Sequence, residues 1–295
     1  MKILIVGSIL IERQYFGENI PQANQVNIVH TFKTLTSSKV INVGRILQFS
    51  HQIDMLGSIG QDHDGHVAHQ HLLQYGINPQ HVTSVHMPTG QVIVNTDSNG
   101  LSAINLFLGA SGEFSIPEKS ILSDYDYIYL ETSFPISKLK QLIIQASLTN
   151  VPVFMDTPNQ QPTLRTLDLK SLSFLVPNRQ EAEILLDCKI ITVHDALDSV
   201  TKLHNLTNGH ALITLDKDGA VYFEGKPQHL PAPKVEVKDA TASGDIFRAV
   251  LLDEYFKSKN LELAAQKAVL LSSQSCSYIG VDQSIQATIN SLKKT

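Results

Sequence analysis

In the run KDATASGDIFRAVLLDEYF, Lys238 to Phe256, the small residues Ala242, Ser243 and Gly244 stand directly before a carboxylate, Asp245, and an apolar stretch of helical character. Small residues let a backbone come close to a ligand, and a helix that begins there presents unpaired N–H groups together with the positive end of its dipole. Such a start is a site for an anion. If that anion is a phosphoryl group in transfer, amides aimed at its oxygens stabilise the transition state, and removing one such donor typically costs ~2.7–4 kcal/mol. Asp245 then sits where a carboxylate can take the proton of an attacking hydroxyl, work that contributes about 10²–10⁴-fold. Acidic residues are also common in the first turn of any helix because of the dipole alone. The chemistry therefore needs partners from elsewhere in the chain.

Short apolar runs that could position such partners recur along the sequence: ILIVG, IDMLGSIG, YDYIYLE, VPVFMD, LSFLVPN and HALITLD. Between several of them lie helical patterns such as VINVGRILQF, ISKLKQLIIQA and AEILL. Alternating strand and helix periods predict an α/β fold, a doubly wound and mostly parallel sheet flanked by helices. Residues 24–35 and 91–108 break the alternation with strand-like stretches, the second carrying the turn signal Asp97-Ser98-Asn99-Gly100. They predict antiparallel strands forming a small projecting β-sheet lid, with segments at about 12–36 and 88–110 inserted in a single domain spanning 1–295. Such a flap suits a lid, a homodimer surface, or both. LELAAQKAVLLSSQSCSYIG predicts a helix that stops at Gly280.

Composition narrows the class. Apolar residues make up 42% and charged ones 17% of 295 residues, the profile of a compact globule with a core of good size. A net charge of −5 without a basic run argues against nucleic acid as a partner. Cys188 and Cys276 are far apart in helical-looking segments and are expected to be buried, reduced thiols. MKILIVGSILIER reads as a buried first strand: Gly7-Ser8 interrupts it, Glu12-Arg13 closes it, and it has neither a cleavage site nor membrane-spanning length. A cytoplasmic protein without a membrane partner is expected. His63, His66, His69 and His71 share one segment, but spacing alone does not make a metal site. GSILIE after the first strand lacks the glycine fingerprint of a nicotinamide-binding enzyme.

DATASGD resembles the Asp-Thr-x-Gly-Ala-Gly-Asp signature of the ribokinase-like (PfkB) carbohydrate kinases, with Ala242 and Ser243 in place of Gly and Ala. The resemblance extends over nearly the whole chain and implies that Ala242, Ser243 and Gly244 line an anion hole while Asp245 is the catalytic base. VPNRQEAEILL is similar to a family segment in which the residues matching Asn178 and Glu181 organise Mg²⁺ and nucleotide phosphates; a single carboxylate acting through water suits so hard a cation. The same pair also reads as a helix capping box. HALITLDKDGAVYF resembles the family's nucleotide-side strand and turn, which implies ATP contacts at Thr214 and Gly219, with Asp216 where Gly is usual. Asp239 and Thr241, from the signature itself, join that set. GVDQSI resembles a closing motif near which a monovalent cation such as K⁺ binds.

On the substrate side, TSSKVINVGRIL resembles Gly-Gly-Lys-Gly-x-Asn, keeping Lys39 and Asn42 but replacing the glycines with Ser37, Ser38 and Val40. Serine tolerates fewer backbone conformations than glycine, so the pocket or its closure is expected to differ. Glu131 in LETS and Glu12 in VGSILIE match sugar-binding carboxylates of the family, Glu12 one methylene longer. The resemblance implies an ATP-dependent sugar kinase that phosphorylates a primary hydroxyl of a sugar or nucleoside. Two alternatives stand beside it. INVGRIL, with Arg45 facing a substrate phosphate, resembles the sugar-phosphate branch, and the lost glycines suit a catalytically weak ligand-binding or regulatory protein.

Overall fold

The computed structural model describes residues 1–99, 101–133, 135–156 and 162–294. Its first part runs β1 (Lys2–Val6), β2 (Leu10–Gly17), β3 (Val29–Ser37), α1 (Lys39–Leu47), β4 (Gln52–Gly60), α2 (His63–Gln74), β5 (Asn78–Val85), β6 (Gly90–Thr96) and β7 (Ser102–Phe107). The middle comprises α3 (Lys119–Leu122), β8 (Tyr127–Glu131), α4 (Ile136–Thr149), β9 (Val153–Asp156), β10 (Leu172–Leu175), α5 (Arg179–Leu186) and α6 (Val193–Leu206). The chain continues with β11 (His210–Thr214), β12 (Ala220–Glu224), β13 (Lys226–Leu230), α7 (Ser243–Ser258), α8 (Leu261–Ser275) and α9 (Val281–Leu292).

Among the described residues the large sheet has the order β13-β12-β11-β10-β9-β8-β1-β4-β5, parallel except for the β11–β12 and β12–β13 pairs. Alternation along β1 builds two cores. Ile3 and Ile5 pack with residues of α1, α2, α7, α8 and α9, whereas Leu4 and Val6 face α3, α4, α5 and α6. This is the doubly wound arrangement expected from the sequence, and it directs the carboxyl ends of the parallel strands to one edge. Helix α7 is buried all round from Asp245 to Glu254, as its nearly continuous apolar run requires.

The small sheet has the order β3-β2-β6-β7. Its outer pairs are antiparallel, but β2 and β6 run parallel, because the β4–α2–β5 segment lies between them in the chain. The expectation of an all-antiparallel lid is corrected to that extent. β3 begins at Val29, later than the strand-like run suggested. The β6–β7 hairpin forms as expected, with Asp97 Oδ1 accepting from the amides of Asn99 and Leu101, while Gly100 lies outside the described residues.

Three local readings change. MKILIVGSILIER is two strands, since the chain leaves the large sheet at Gly7 and re-enters the lid at Leu10. The helix before Gly280 ends at Ser275, and Gly280, at φ 84°, instead leads into α9. Both cysteines are free but half-buried, just past the ends of α5 and α8.

At Gly7, just past the end of β1, the backbone passes close to α1. A Cβ there would lie 2.1 Å from Val40 Cγ1 and 2.7 Å from Glu131 Oε2. Gly7→Ala is therefore expected to lower stability by roughly 1–3 kcal/mol through overpacking. Val40→Ala in the same chain should restore part of that loss in a denaturant double-mutant cycle, since the contacts to Glu131 Oε2 and to the Cβ of residue 40, at 2.7 and 2.8 Å, remain.

Candidate active site

Helices α1 and α7 bring the substrate-side and anion-side residues together. Ser38 caps α1, its hydroxyl accepting from the Ile41 amide at 3.2 Å, and its backbone is extended at φ −174°. A glycine is not required in that conformation, and the serine adds a cap that glycine lacks. One turn on, Asn42 Nδ2 donates to Asp245 Oδ2 at 2.9 Å. Asn42 Oδ1 is buried and has no hydrogen-bond partner among the described residues.

At the tip of α7, Ala242 takes a left-handed conformation, φ 63°, which turns the chain sharply into the helix. The Ser243 amide donates to Ala240 O and the Ile246 amide to Ala242 O, at 3.2 and 2.9 Å. Ser243 thus spends its N–H on the loop. Among the described residues the first-turn amides of Gly244 and Asp245 carry no backbone bond of this kind and remain as donors for an anion.

The carboxyl edge of the sheet supplies the rest. Glu131 ends β8 and Asp156 ends β9, paired in register. Glu131 is buried and accepts from Ser8 N, Ser8 Oγ and Ser133 Oγ. Asn178 caps α5 and forms a full capping box with Glu181; it also bridges to Thr214, the last residue of β11. Lys39 Nζ reaches Glu181 Oε1 at 3.4 Å. From inside α7, Arg248 Nη2 lies 3.1 Å from Asp156 Oδ1 and 3.5 Å from Glu181 Oε2.

Burial dominates the electrostatics. It pushes the Asp245 carboxyl up to about 7, the like charge of Asp156 adding to the effect and Asn42, Arg248 and Lys39 opposing it. Glu131 is also raised by burial, against the hydrogen bonds of Ser133 and Ser8. Arg248 is raised above its ordinary range: burial works against its charge, and the carboxylates of Asp156, Glu181 and Asp245 outweigh that.

Lys39, Asn42, Glu131, Asn178, Glu181, Thr214 and the Ala242–Asp245 loop therefore gather along the same edge. Glu12 lies out on lid strand β2, hydrogen-bonded to Gln14. Gly219, φ 88°, forms the β11–β12 turn, where a Cβ would meet Leu230 O at 2.0 Å; Asp216 beside it also adopts a left-handed backbone. Thr241 is exposed, and its amide donates to Asp239 Oδ1. The other Asp239 oxygen accepts from Gly280 N, so this carboxylate ties the loop to the start of α9 and is held below its ordinary range by those bonds, against the effect of burial. His71 is engaged by Thr36 Oγ1 at 2.9 Å. Asp156, Arg248 and Ser8 are absent from the sequence-based set. The first two had a signal: a carboxylate ending VPVFMD, and one cation inside IFRAVLL.

The donors fit a hard cation held through its water shell. Glu181 is the one carboxylate beside Asn178, and both of its oxygens already face protein groups. Among the described residues no cluster of three His, Cys, Asp or Glu could grip an ion directly. A broad cavity of about 800 Å³ opens at the opposite edge, beside Tyr127, His210 and Tyr255 at the amino ends of the strands, and it is remote from this chemistry.

The fold is that of solved ribokinases. A ribokinase of Arabidopsis thaliana complexed with ribose and ATP superposes with a TM-score of 0.82, at 23% identity, covering 97% of this chain and 98% of that one. Among curated proteins, a deoxyribokinase of Salmonella typhi is 24% identical over 96% of this chain and 95% of its own length. A ribokinase of Bacillus subtilis is 22% identical over 94% and 93%. Residues 1–288 match the pfkB family of carbohydrate kinases, and the chain belongs to that family.

The raised carboxyl of Asp245 has a consequence for stability. Between the ordinary 3.8 and about 7, the folded state keeps a proton that the unfolded chain has lost, so this residue makes stability fall as pH rises through that window. Asp245→Asn is expected to melt higher than the unsubstituted protein at about pH 8, by roughly 2–4 °C per kcal/mol recovered. The difference should vanish below about pH 4, where both side chains are neutral.

Proposed function

We propose that the protein transfers the γ-phosphoryl group of ATP to a primary hydroxyl of an unphosphorylated sugar or nucleoside. The observation that carries this reading is the 2.9 Å hydrogen bond from Asn42 to Asp245, which sets a hydroxyl-recognising helix against a base at an amide-bearing helix tip. The names of the relatives, ribokinase and deoxyribokinase, support the substrate class.

In the reaction, Asp245 accepts the proton of the substrate hydroxyl as its oxygen bonds to the γ-phosphorus. The bond from that phosphorus to the β-phosphate oxygen breaks, and ADP departs with its electron pair. The Gly244 and Asp245 amides stabilise charge on the transferring oxygens. Asn42 Oδ1, a buried acceptor without a partner among the described residues, is suited to a second substrate hydroxyl, with Glu131 and Lys39 completing the pocket and Glu12 approaching from the lid. On the nucleotide side, Asn178, Thr214, Gly219, Asp239 and Thr241 flank the phosphates. Asn178 and Glu181 would hold Mg²⁺ through water, and the bound ion would draw charge from the phosphate oxygens.

Arg45 favours an unphosphorylated substrate over a sugar phosphate. Its guanidinium is 2.6 Å from Asp282 on α9 and stacks 4.2 Å over Tyr75, commitments that turn it toward packing.

The lid leaves Ile104 and Leu106 exposed on one face of β7, at 65% and 48%, an apolar patch suited to a second copy of the chain. Sedimentation of the Ile104→Asp/Leu106→Asp double variant is expected to show monomers where the unsubstituted chain shows dimers.

A panel of pentoses, hexoses, nucleosides and hexose phosphates, assayed for phosphorylated product, tests the main reading. Product from an unphosphorylated alcohol is expected, and binding without product would favour a non-enzymatic role. Asp245→Asn should retain nucleotide binding while turnover drops by about 10²–10⁴. For the unsubstituted enzyme, kcat/KM should fall on the acid side of about pH 7, as Asp245 takes up its proton.

A further inference from the structure

Arg248 is a cation inside the all-buried stretch of α7, 3% exposed. A guanidinium in such a place must be matched by acceptors on several sides, because a buried charge without partners is strongly destabilising. The matching groups come from three separate elements. Nε and Nη2 donate to Val176 O at 3.3 and 3.1 Å, in the turn that leads to Asn178. Nη2 also faces Asp156 Oδ1 at the end of β9 and Glu181 Oε2 on α5, at 3.1 and 3.5 Å. Nη1 lies toward the anion site itself: a Cβ on Gly244 would be 3.1 Å from it.

We propose that Arg248 is a positioning residue of the phosphotransfer site, one guanidinium fixing the carboxylates of Asp156 and Glu181 around the base Asp245 and balancing their combined charge. The inference rests on the kinase reading given above and assigns a task to a residue outside the Asp-bearing signature. The guanidinium lies close to Gly244, where a methyl would force it to shift by a few tenths of an ångström. It also links the two halves of the site. The turn carrying Asn178 and Glu181 is tied to the same helix that carries Asp245, so phosphate-side and hydroxyl-side groups keep a common register.

The charge balance is specific in sign. Asp245 is faced by Asn42 and Lys39 from α1, by Asp156 from β9, by Arg248 from its own helix, and by the Tyr129 hydroxyl from β8, which donates to Asp156 at 3.1 Å. Glu181 of α5 acts on it through Arg248 and Lys39. Removing the cation leaves Asp245 among like charges and favours its protonated form; removing the charge of Asp156 does the reverse. A residue that merely filled space would move neither.

The test is the titration of Asp245 in the full-length protein, followed by ¹³C-carboxyl NMR with Asp245→Asn as the assignment control, beside the pH profile of kcat/KM. Arg248→Gln is expected to raise the midpoint by about one unit or more, and Asp156→Asn to lower it by a similar amount. Arg248→Lys, which keeps the charge and loses the fork, should hold the midpoint near that of the unsubstituted protein while turnover falls at every pH. If Arg248→Gln does not fold, the Asp156→Asn and Arg248→Lys results decide. Midpoints that stay put in folded, active variants, or move in the same direction for Arg248→Gln and Asp156→Asn, overturn the role of Arg248 alone. An unsubstituted protein that phosphorylates no alcohol overturns the kinase reading, and this role with it, whatever the midpoints do.

Discussion

Three carboxylates, Asp156, Glu181 and Asp245, come together at the carboxyl edge of the large sheet with almost no solvent to screen them, and Arg248 and Lys39 are the cations set among them. Leaving one such charge unpaired in a low-dielectric interior is expensive, so the arrangement persists only while each carboxylate has a donor or a cation nearby; Asp156 Oδ1, without a hydrogen bond among the described residues, faces the charge of Arg248 at 3.1 Å. Tyr129 supplies one to Asp156, and Asn42 one to Asp245. Glu131, in the same register as Asp156, takes its donors from Ser8 and Ser133. Much of the local architecture, from the break after β1 to the cap of α5, serves to deliver those donors.

The changes from the family's glycine-rich pattern make sense within this constraint. Ser38 occupies an extended position where glycine has no conformational advantage, and its hydroxyl secures the first turn of the helix that carries Lys39 and Asn42. Val40 is wholly buried and fills the space that the bare Gly7 leaves beside Glu131. The contact tolerates the valine because position 7 is bare, and it leaves Asn42 aimed at Asp245.

The strands of the parallel core were legible because each is a short apolar run bounded by turn residues, and buried parallel strands read that way. Edge strand β5, with Pro79 and alternating exposure, gave no such run. The parallel β2–β6 pairing was hidden for another reason: pairing direction depends on the route of the intervening chain and leaves no mark on either strand. Within the site, Asp245, Asn178 and Glu181 could be found because caps and first turns have local signatures. Asp156 and Arg248 could not be paired from sequence, since they are separated by a long stretch of chain and meet only when α7 lies across the sheet.

Structure and the proposed chemistry place opposed demands on Asp245. Stability would favour a neutral side chain at that depth, whereas proton abstraction needs an ionised one. The balance reached, a carboxyl near neutrality despite two neighbouring cations, follows from burial and the proximity of Asp156 outweighing Asn42, Arg248 and Lys39. A stronger set of counter-charges would give a carboxylate that is always ionised but a poorer proton acceptor; a weaker set would leave it protonated when the hydroxyl must be activated. The burial that makes the first turn of α7 costly to fold is thus, on the proposed reading, the same property that brings the Asp245 carboxyl into the range where a general base works best.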